Sequence, residues 1–168
     1  MCWIETYTGL QFFPFNPRPK DVRIEDIAHA LSMRCRWGGH CKSFYSVAQH
    51  CVLLCDLAND RLWGLMHDSA EAYLTDVMKP IKERINDIVI IESKILEVIA
   101  EVYGLQLPIP DEIHNLDVQL LATERRDLMP NVHVYATATP LQERITPWNQ
   151  RTAKSMFLDR FNYLFGES

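Results

Sequence analysis

The sequence predicts an all-α domain, and three observations predict it. Apolar residues recur at helical spacing in successive segments, turn residues and prolines fall between those segments, and the one stretch with extended character is a short N-terminal arm. The 168 residues suffice for one domain with its own core, spanning 1–168 without an internal repeat. At 48% hydrophobic and 23% charged residues, the composition is that of an ordinary globular protein and excludes a disordered or low-complexity chain.

Residues 1–22 carry Phe12, Phe13, Pro14, Phe15, Pro17 and Pro19 and read as an extended arm with a hairpin around Thr8-Gly9. Ile24, Ile27, Ala28 and Leu31 share one face and predict a helix over 24–33, after which Gly38-Gly39 breaks the chain. Ser46 and Gln49 have the spacing of a capping box for a helix over 46–58 that is apolar nearly all round, and so buried. A short helix follows over 61–74. Pro80 opens a helix to Tyr103, with Ile88, Ile91, Ile95, Val98 and Val102 as its core stripe and Gly104 as its stop. Asp111 caps a helix through Leu128, with Ile113, Leu116, Leu120 and Leu121 facing in. Residues 130–146 are irregular and read as a surface loop. Pro147 then opens a last helix with Phe157, Leu158, Phe161, Leu164 and Phe165 as its apolar residues.

The formal net charge of −5 argues against a broad nucleic-acid-binding face, so no nucleic-acid polymer is expected as a partner. Five cysteines, an odd number with no C-x-x-C pair, fit a reducing compartment better than a disulfide framework. The N-terminus lacks the pattern of a secretory signal, and no apolar run approaches a membrane span. The expected location is the cytoplasm, with no membrane partner.

The residues that carry chemistry are His50, His67-Asp68 and Asp117. His67-Asp68 lies inside the apolar segment GLMHDSAEAY, where a carboxylate and an imidazole are costly unless paired or bound to metal. His50 is on the preceding buried helix, and Asp117 is near Leu116 and Leu120 on the inner side of a third. Two imidazoles and two carboxylates suit one divalent transition metal, Zn²⁺, Co²⁺ or Mn²⁺. Glu71 follows His67 by one helical turn, close enough to orient or deprotonate a water at the metal. Asp76, at the end of the same helix, has either the same proton-transfer role or a plain terminating one. Cys51 and Cys55 flank His50 and read as packing. Arg125-Arg126 with Glu124 and Asp127 reads as a salt-bridged surface.

The pattern H…HD…D resembles the HD-domain metal-dependent phosphohydrolases, and the resemblance extends beyond the four ligands. It includes Asp26-Ile27-Ala28-His29-Ala30-Leu31-Ser32, Cys35-Arg36-Trp37-Gly38-Gly39-His40 and Tyr45-Ser46-Val47-Ala48-Gln49-His50. It continues through His67-Asp68-Ser69-Ala70-Glu71-Ala72-Tyr73, Asp76-Val77-Met78-Lys79-Pro80-Ile81-Lys82, and Leu116-Asp117 with the run from Leu121 to Leu128. The match covers about residues 20–130, and Trp148 to Phe161 continues it more loosely. Within that superfamily the chain is similar to the compact bacterial 5′-deoxynucleotidases and the phage dATP triphosphohydrolases.

The resemblance implies an HD-domain helical bundle, Glu71 and Asp76 as catalytic carboxylates, and Arg36, Trp37 and Lys82 as substrate-binding residues. It implies a deoxynucleotide substrate and a homo-oligomer, either a dimer or a ring of dimers. The physical chemistry agrees. A protein of net charge −5 needs local cations for a phosphate ester, and Arg36 and Lys82 supply them, while Trp37 offers a flat face to a base or sugar. By resemblance to the phage enzymes, the expected activity is a dNTP triphosphohydrolase preferring dATP and releasing deoxynucleoside and tripolyphosphate, with additional Mg²⁺ accompanying the triphosphate. The alternative is a 5′-deoxynucleotidase releasing phosphate from dNMPs. The Gly-Tyr-Pro signature of the cyclic-dinucleotide branch is missing from the chain. A non-enzymatic metal-bound module fits poorly with Glu71, Arg36 and Lys82 all in place.

Overall fold

The computed structural model describes residues 2–131 and 138–166. Its architecture is helical with a small N-terminal hairpin. Strands β1 (Ile4–Glu5) and β2 (Gln11–Phe12) pair antiparallel, Ile4 opposite Phe12 and Glu5 opposite Gln11. The turn closes on Gly9, whose φ of 81° is open to glycine at little cost. Helices α1 (Ile24–Met33), α2 (Val47–Leu57), α3 (Arg61–Met66), α4 (Lys79–Lys82), α5 (Asn86–Tyr103), α6 (Asp111–Leu128) and α7 (Gln150–Gly166) follow, with short 3-10 turns at 19–21, 37–39 and 69–72. No helix among the described residues is long and apolar enough to cross a membrane.

The arm is docked onto the domain. Thr8 donates from its backbone N and its Oγ1 to the two carboxylate oxygens of Asp26 on α1, at 2.7 and 2.9 Å. Phe12 is fully buried and stacks on Tyr73 with ring centroids 3.8 Å apart. Trp3, Tyr7 and Phe15 stay exposed.

Helix α2 is the centre of the core, packed against α1, α3, α6 and α7. Val47, Ala48, Cys51, Val52, Leu54 and Cys55 are all buried, and His50 is buried with them. It meets α3 closely at Gly64. A Cβ at that position would lie 2.8 Å from Cys55 Cα and 3.0 Å from Leu54 O, so only glycine lets the two backbones meet. That contact brings the α3 terminus, and with it His67, up to α2.

Helices α1 and α6 and the hairpin occupy the residues expected of them. Other boundaries differ. The 61–74 segment is two pieces: α3 stops at Met66, and a 3-10 turn covers Ser69–Ala72. Asp68 has φ −97° and ψ 11°, outside the helical basin, and the Glu71 N–H donates to Asp68 O at 3.0 Å. The expected 80–103 helix is also two. Ile85 is extended (φ −126°, ψ 85°) and separates α4 from α5. In α5 the buried positions are Ile95, Ile99 and Ala100, while Ile88, Ile91, Val98 and Val102 are half-buried.

The caps shift in the same way. Asp111 is the first helical residue and Pro110 the cap of α6. Helix α7 starts at Gln150, not at Pro147, because Asn149 Oδ1 accepts from the Thr152 N–H at 2.9 Å. Ser46 does cap α2, its Oγ accepting from Gln49 N at 3.1 Å. Gln49 does not return the bond. Its amide donates to Thr146 O at 2.9 Å and accepts from Trp148 N at 2.8 Å, tying the 146–148 segment to the core. Of the expected irregular stretch 130–146, residues 132–137 lie outside the described residues.

Candidate metal centre

The four residues expected to hold a metal converge at one point. His50 comes from α2, His67 and Asp68 from the end of α3, and Asp117 from α6. His50 Nε2 is 3.2 Å from His67 Nε2, 3.1 Å from Asp117 Oδ1 and 3.8 Å from Asp68 Oδ2, and His67 Nε2 is 3.3 Å from Asp68 Oδ2. Side-chain exposure rises across the group from 0% at His50 and 7% at His67 to 21% at Asp68 and 41% at Asp117. The centre therefore opens toward solvent on its carboxylate side.

The far side of each imidazole fixes its tautomer. His67 Nδ1 donates to the Gly64 carbonyl at 2.9 Å, an acceptor only. His50 Nδ1 donates to Glu124 Oε1 at 2.7 Å. Each ring thus carries a proton on Nδ1 and turns its Nε2 toward the other across 3.2 Å. Two lone pairs at that distance repel unless a proton or a metal ion lies between them, and a metal ion takes the place of the proton that His50 otherwise holds there. Ligand atoms about 2.1 Å from a tetrahedral metal stand about 3.4 Å apart, and the observed spacings bracket that value. The donor set fits a divalent transition metal.

Charge is balanced by burial against partners. Burial works to raise the Asp68 carboxyl pKa, but His67, His50 and Arg36 outweigh it and hold Asp68 well below the usual carboxylate range. Asp117, against the same burial, is held down to about 2 by its bond to His50. At His50, burial and Arg36 oppose the charged form, and Glu124 and Asp117 win, raising it to about 9. Cys51 lies within reach of His67 and Asp68, but burial pushes its thiol well up, leaving a neutral packing group.

Glu71 does not sit on a continuous helix with His67. The 3-10 turn carries it, and its side chain is buried with Oε2 unpartnered among the described residues. Burial, reinforced by Asp68 and Asp76, pushes its carboxyl well above the usual range. Asp76 is half-buried in the stretch without helix that follows, and burial raises it as well. A desolvated carboxyl beside such a cluster is suited to proton transfer.

Arg36 is buried and oriented by two carboxylates, donating from Nε to Glu124 Oε2 and from Nη1 to Asp68 Oδ2, both at 3.2 Å. Trp37 takes a left-handed backbone (φ 59°), and its indole N–H donates to Glu124 Oε2 at 3.0 Å. Arg125 lies over the Trp37 ring, 5.2 Å from its centroid. Lys82 is half-buried on α4 and ion-paired to Glu92 of α5. His114 is exposed.

Sequence reasoning missed Glu124. The run Glu124-Arg125-Arg126-Asp127 reads as surface charge, yet Glu124 is fully buried under the metal centre. Its signal was available: Leu120, Glu124 and Leu128 recur every four residues on one face, and all three are buried.

No family model matches the chain. It is similar to the uncharacterized protein YfdR of Escherichia coli (strain K12), with 38% identity covering 98% of this chain and 96% of that protein. It is also similar to an uncharacterized protein of Rhodobacter capsulatus, 37% identical over 95 residues; that match takes in 50% of this chain and 48% of the relative. At the identity and coverage of the first match, the chain belongs to the family of YfdR.

Proposed function

We propose that the protein is a metal-dependent phosphohydrolase of the HD type acting on deoxynucleotides. The observation that carries this reading is the pair of Nε2 atoms, 3.2 Å apart, whose rings are both protonated on the opposite nitrogen and flanked by Asp68 and Asp117. His50, His67, Asp68 and Asp117 would hold the ion. A divalent cation there supplies Lewis acidity toward a phosphoryl oxygen and lowers the pKa of water.

The chain's own residues do the rest. Arg36 is held with its Nη edge toward the centre and pairs with a phosphate oxygen. Glu71, whose buried Oε2 has no partner among the described residues, takes the proton of the attacking water and passes it to the departing 5′-oxygen. Asp76 lies beside it and helps keep that proton in place. Trp37 borders the site from the loop that carries Arg36, and Lys82 adds positive charge near Glu71 and Asp68.

The favoured substrate is a dNTP, dATP first, cleaved at the α-phosphorus to deoxynucleoside and tripolyphosphate; the motif resemblance supports it. A second reading, a 5′-deoxynucleotidase, is favoured by one observation. Arg36 is committed to Glu124 and Asp68, and Lys82 to Glu92, an arrangement better matched to one phosphate than to three. Incubation with each dNTP, dNMP and rNTP in the presence of Co²⁺, Mn²⁺ or Zn²⁺ separates them. Tripolyphosphate from dATP supports the first reading, and phosphate from dNMPs alone supports the second. No metal-dependent release from any deoxynucleotide would overturn both. Glu71→Gln is expected to stay folded and metal-loaded while turnover falls about 10²- to 10⁴-fold.

A homo-oligomer belongs to the same proposal. The exposed Ile81, Ile85, Val89 and Ile90 along α4 and α5 support it, and light scattering of the purified chain tests it.

A further inference from the structure

We propose that Glu124 is the positioning residue of this centre, a single buried carboxylate that sets both the metal-facing imidazole of His50 and the substrate-facing Arg36–Trp37 loop. The inference rests on the metal-centre reading above and goes beyond it, since Glu124 touches neither substrate nor metal in that reading.

Both oxygens of Glu124 are spoken for. Oε1 accepts from His50 Nδ1 at 2.7 Å, and Oε2 accepts from Arg36 Nε at 3.2 Å and Trp37 Nε1 at 3.0 Å. The donors come from α2 and from Arg36 and Trp37 at the start of the 37–39 turn, so a residue of α6 joins α2 to that turn. A fully buried carboxylate is expensive without compensation, and the guanidinium of Arg36 provides it.

Three consequences follow for the site. His50 is held as the Nδ1–H tautomer, which leaves Nε2 free to ligate. Trp37 keeps a left-handed backbone that a bulky residue rarely adopts, and its bond to Glu124 fixes the ring direction there. Arg36 spends Nε on Glu124, which turns its Nη1 edge toward Asp68 and the mouth of the site. One carboxylate therefore sets the angle of a ligand and of a phosphate-pairing cation together.

The test is Glu124→Gln, which keeps the shape but places an NH₂ against at least one of the three donors. In the full-length chain, Co²⁺ binding is followed by the visible absorption of the bound ion, and KM and kcat are measured separately. The expected result is a 10- to 100-fold loss of Co²⁺ affinity together with a rise in KM, while Asp127→Asn, one turn along the helix, leaves Co²⁺ affinity within about twofold. Wild-type Co²⁺ affinity and KM in Glu124→Gln would overturn the role of Glu124 while leaving the metal reading intact. A wild-type chain that binds no Co²⁺ overturns the metal reading and this inference with it. If Glu124→Gln does not fold, the imidazole nitrogen resonances of wild-type His50 decide: a protonated Nδ1 in the metal-loaded protein is expected, and a protonated Nε2 would overturn the inference.

Discussion

Glu124 and Asp127 lie one turn apart on α6, both are paired with arginine, and they do different work. Glu124 is fully buried and gathers His50, Arg36 and Trp37. Asp127 is half-buried at the rim and gathers Arg126, Arg144 and the Ile145 N–H. The first set of bonds joins the candidate metal centre to the loop beside it. The second latches the segment before α7 onto the domain. The residue class is the same, so position relative to the core decides the role: a carboxylate inside must have every oxygen matched, and the matching partners become rigid with it.

That comparison can be broken at its buried end first. His50→Ala removes a ligand and leaves Glu124 facing a void, so metal affinity should fall by well over about 100-fold, more than the loss of an outer partner. Equilibrium dialysis against Zn²⁺ measures it. Gly64→Ala comes next. Its methyl would collide with Cys55 on α2, at an expected cost of about 1–3 kcal/mol and with His67 displaced from His50. Thermal unfolding should show a melting point lower by several degrees, and metal affinity should drop with it.

The rim gives the smallest effect. Asp127→Asn should cost about 1–2 kcal/mol and leave metal binding alone. The wild-type latch is also pH-dependent in a definite direction. The bond to Arg126 depresses the Asp127 carboxyl to about 2, below its ordinary value of 3.8, so its stabilisation is full above about pH 4 and fades as pH falls toward 2. Acid unfolding of wild type and Asp127→Asn should converge over that window. Parallel curves down to pH 2 would contradict the latch.

The contrast also marks what the sequence made legible. His50, His67 and Asp68 stood out because each is a polar residue set among apolar ones, where burial is costly, while Asp117, 41% exposed, stood out through its place beside Leu116 and Leu120 and the H…HD…D pattern. Helices α1 and α6 and the hairpin were readable from period and turn chemistry. Glu124 was hidden because Arg125, Arg126 and Asp127 follow it, and a run of charges reads as solvated unless the four-residue spacing from Leu120 to Leu128 is weighed against it. The break after Met66 was hidden for another reason. Local propensity favours a continuous helix through GLMHDSAEAY, and tertiary geometry overrides it by turning Asp68 into the centre. The Ile85 break between α4 and α5 likewise carries no glycine or proline to announce it.

The central claim is that His50, His67, Asp68 and Asp117 form one site for one divalent ion. The most direct measurement is the metal content of the purified chain after loading with Zn²⁺ or Co²⁺ and removal of the excess, for wild type and for His67→Ala with Asp68→Ala. The account predicts one ion per wild-type chain and close to none in the double variant, with both proteins folded. Equal metal in the two, or none in the wild type, would contradict it.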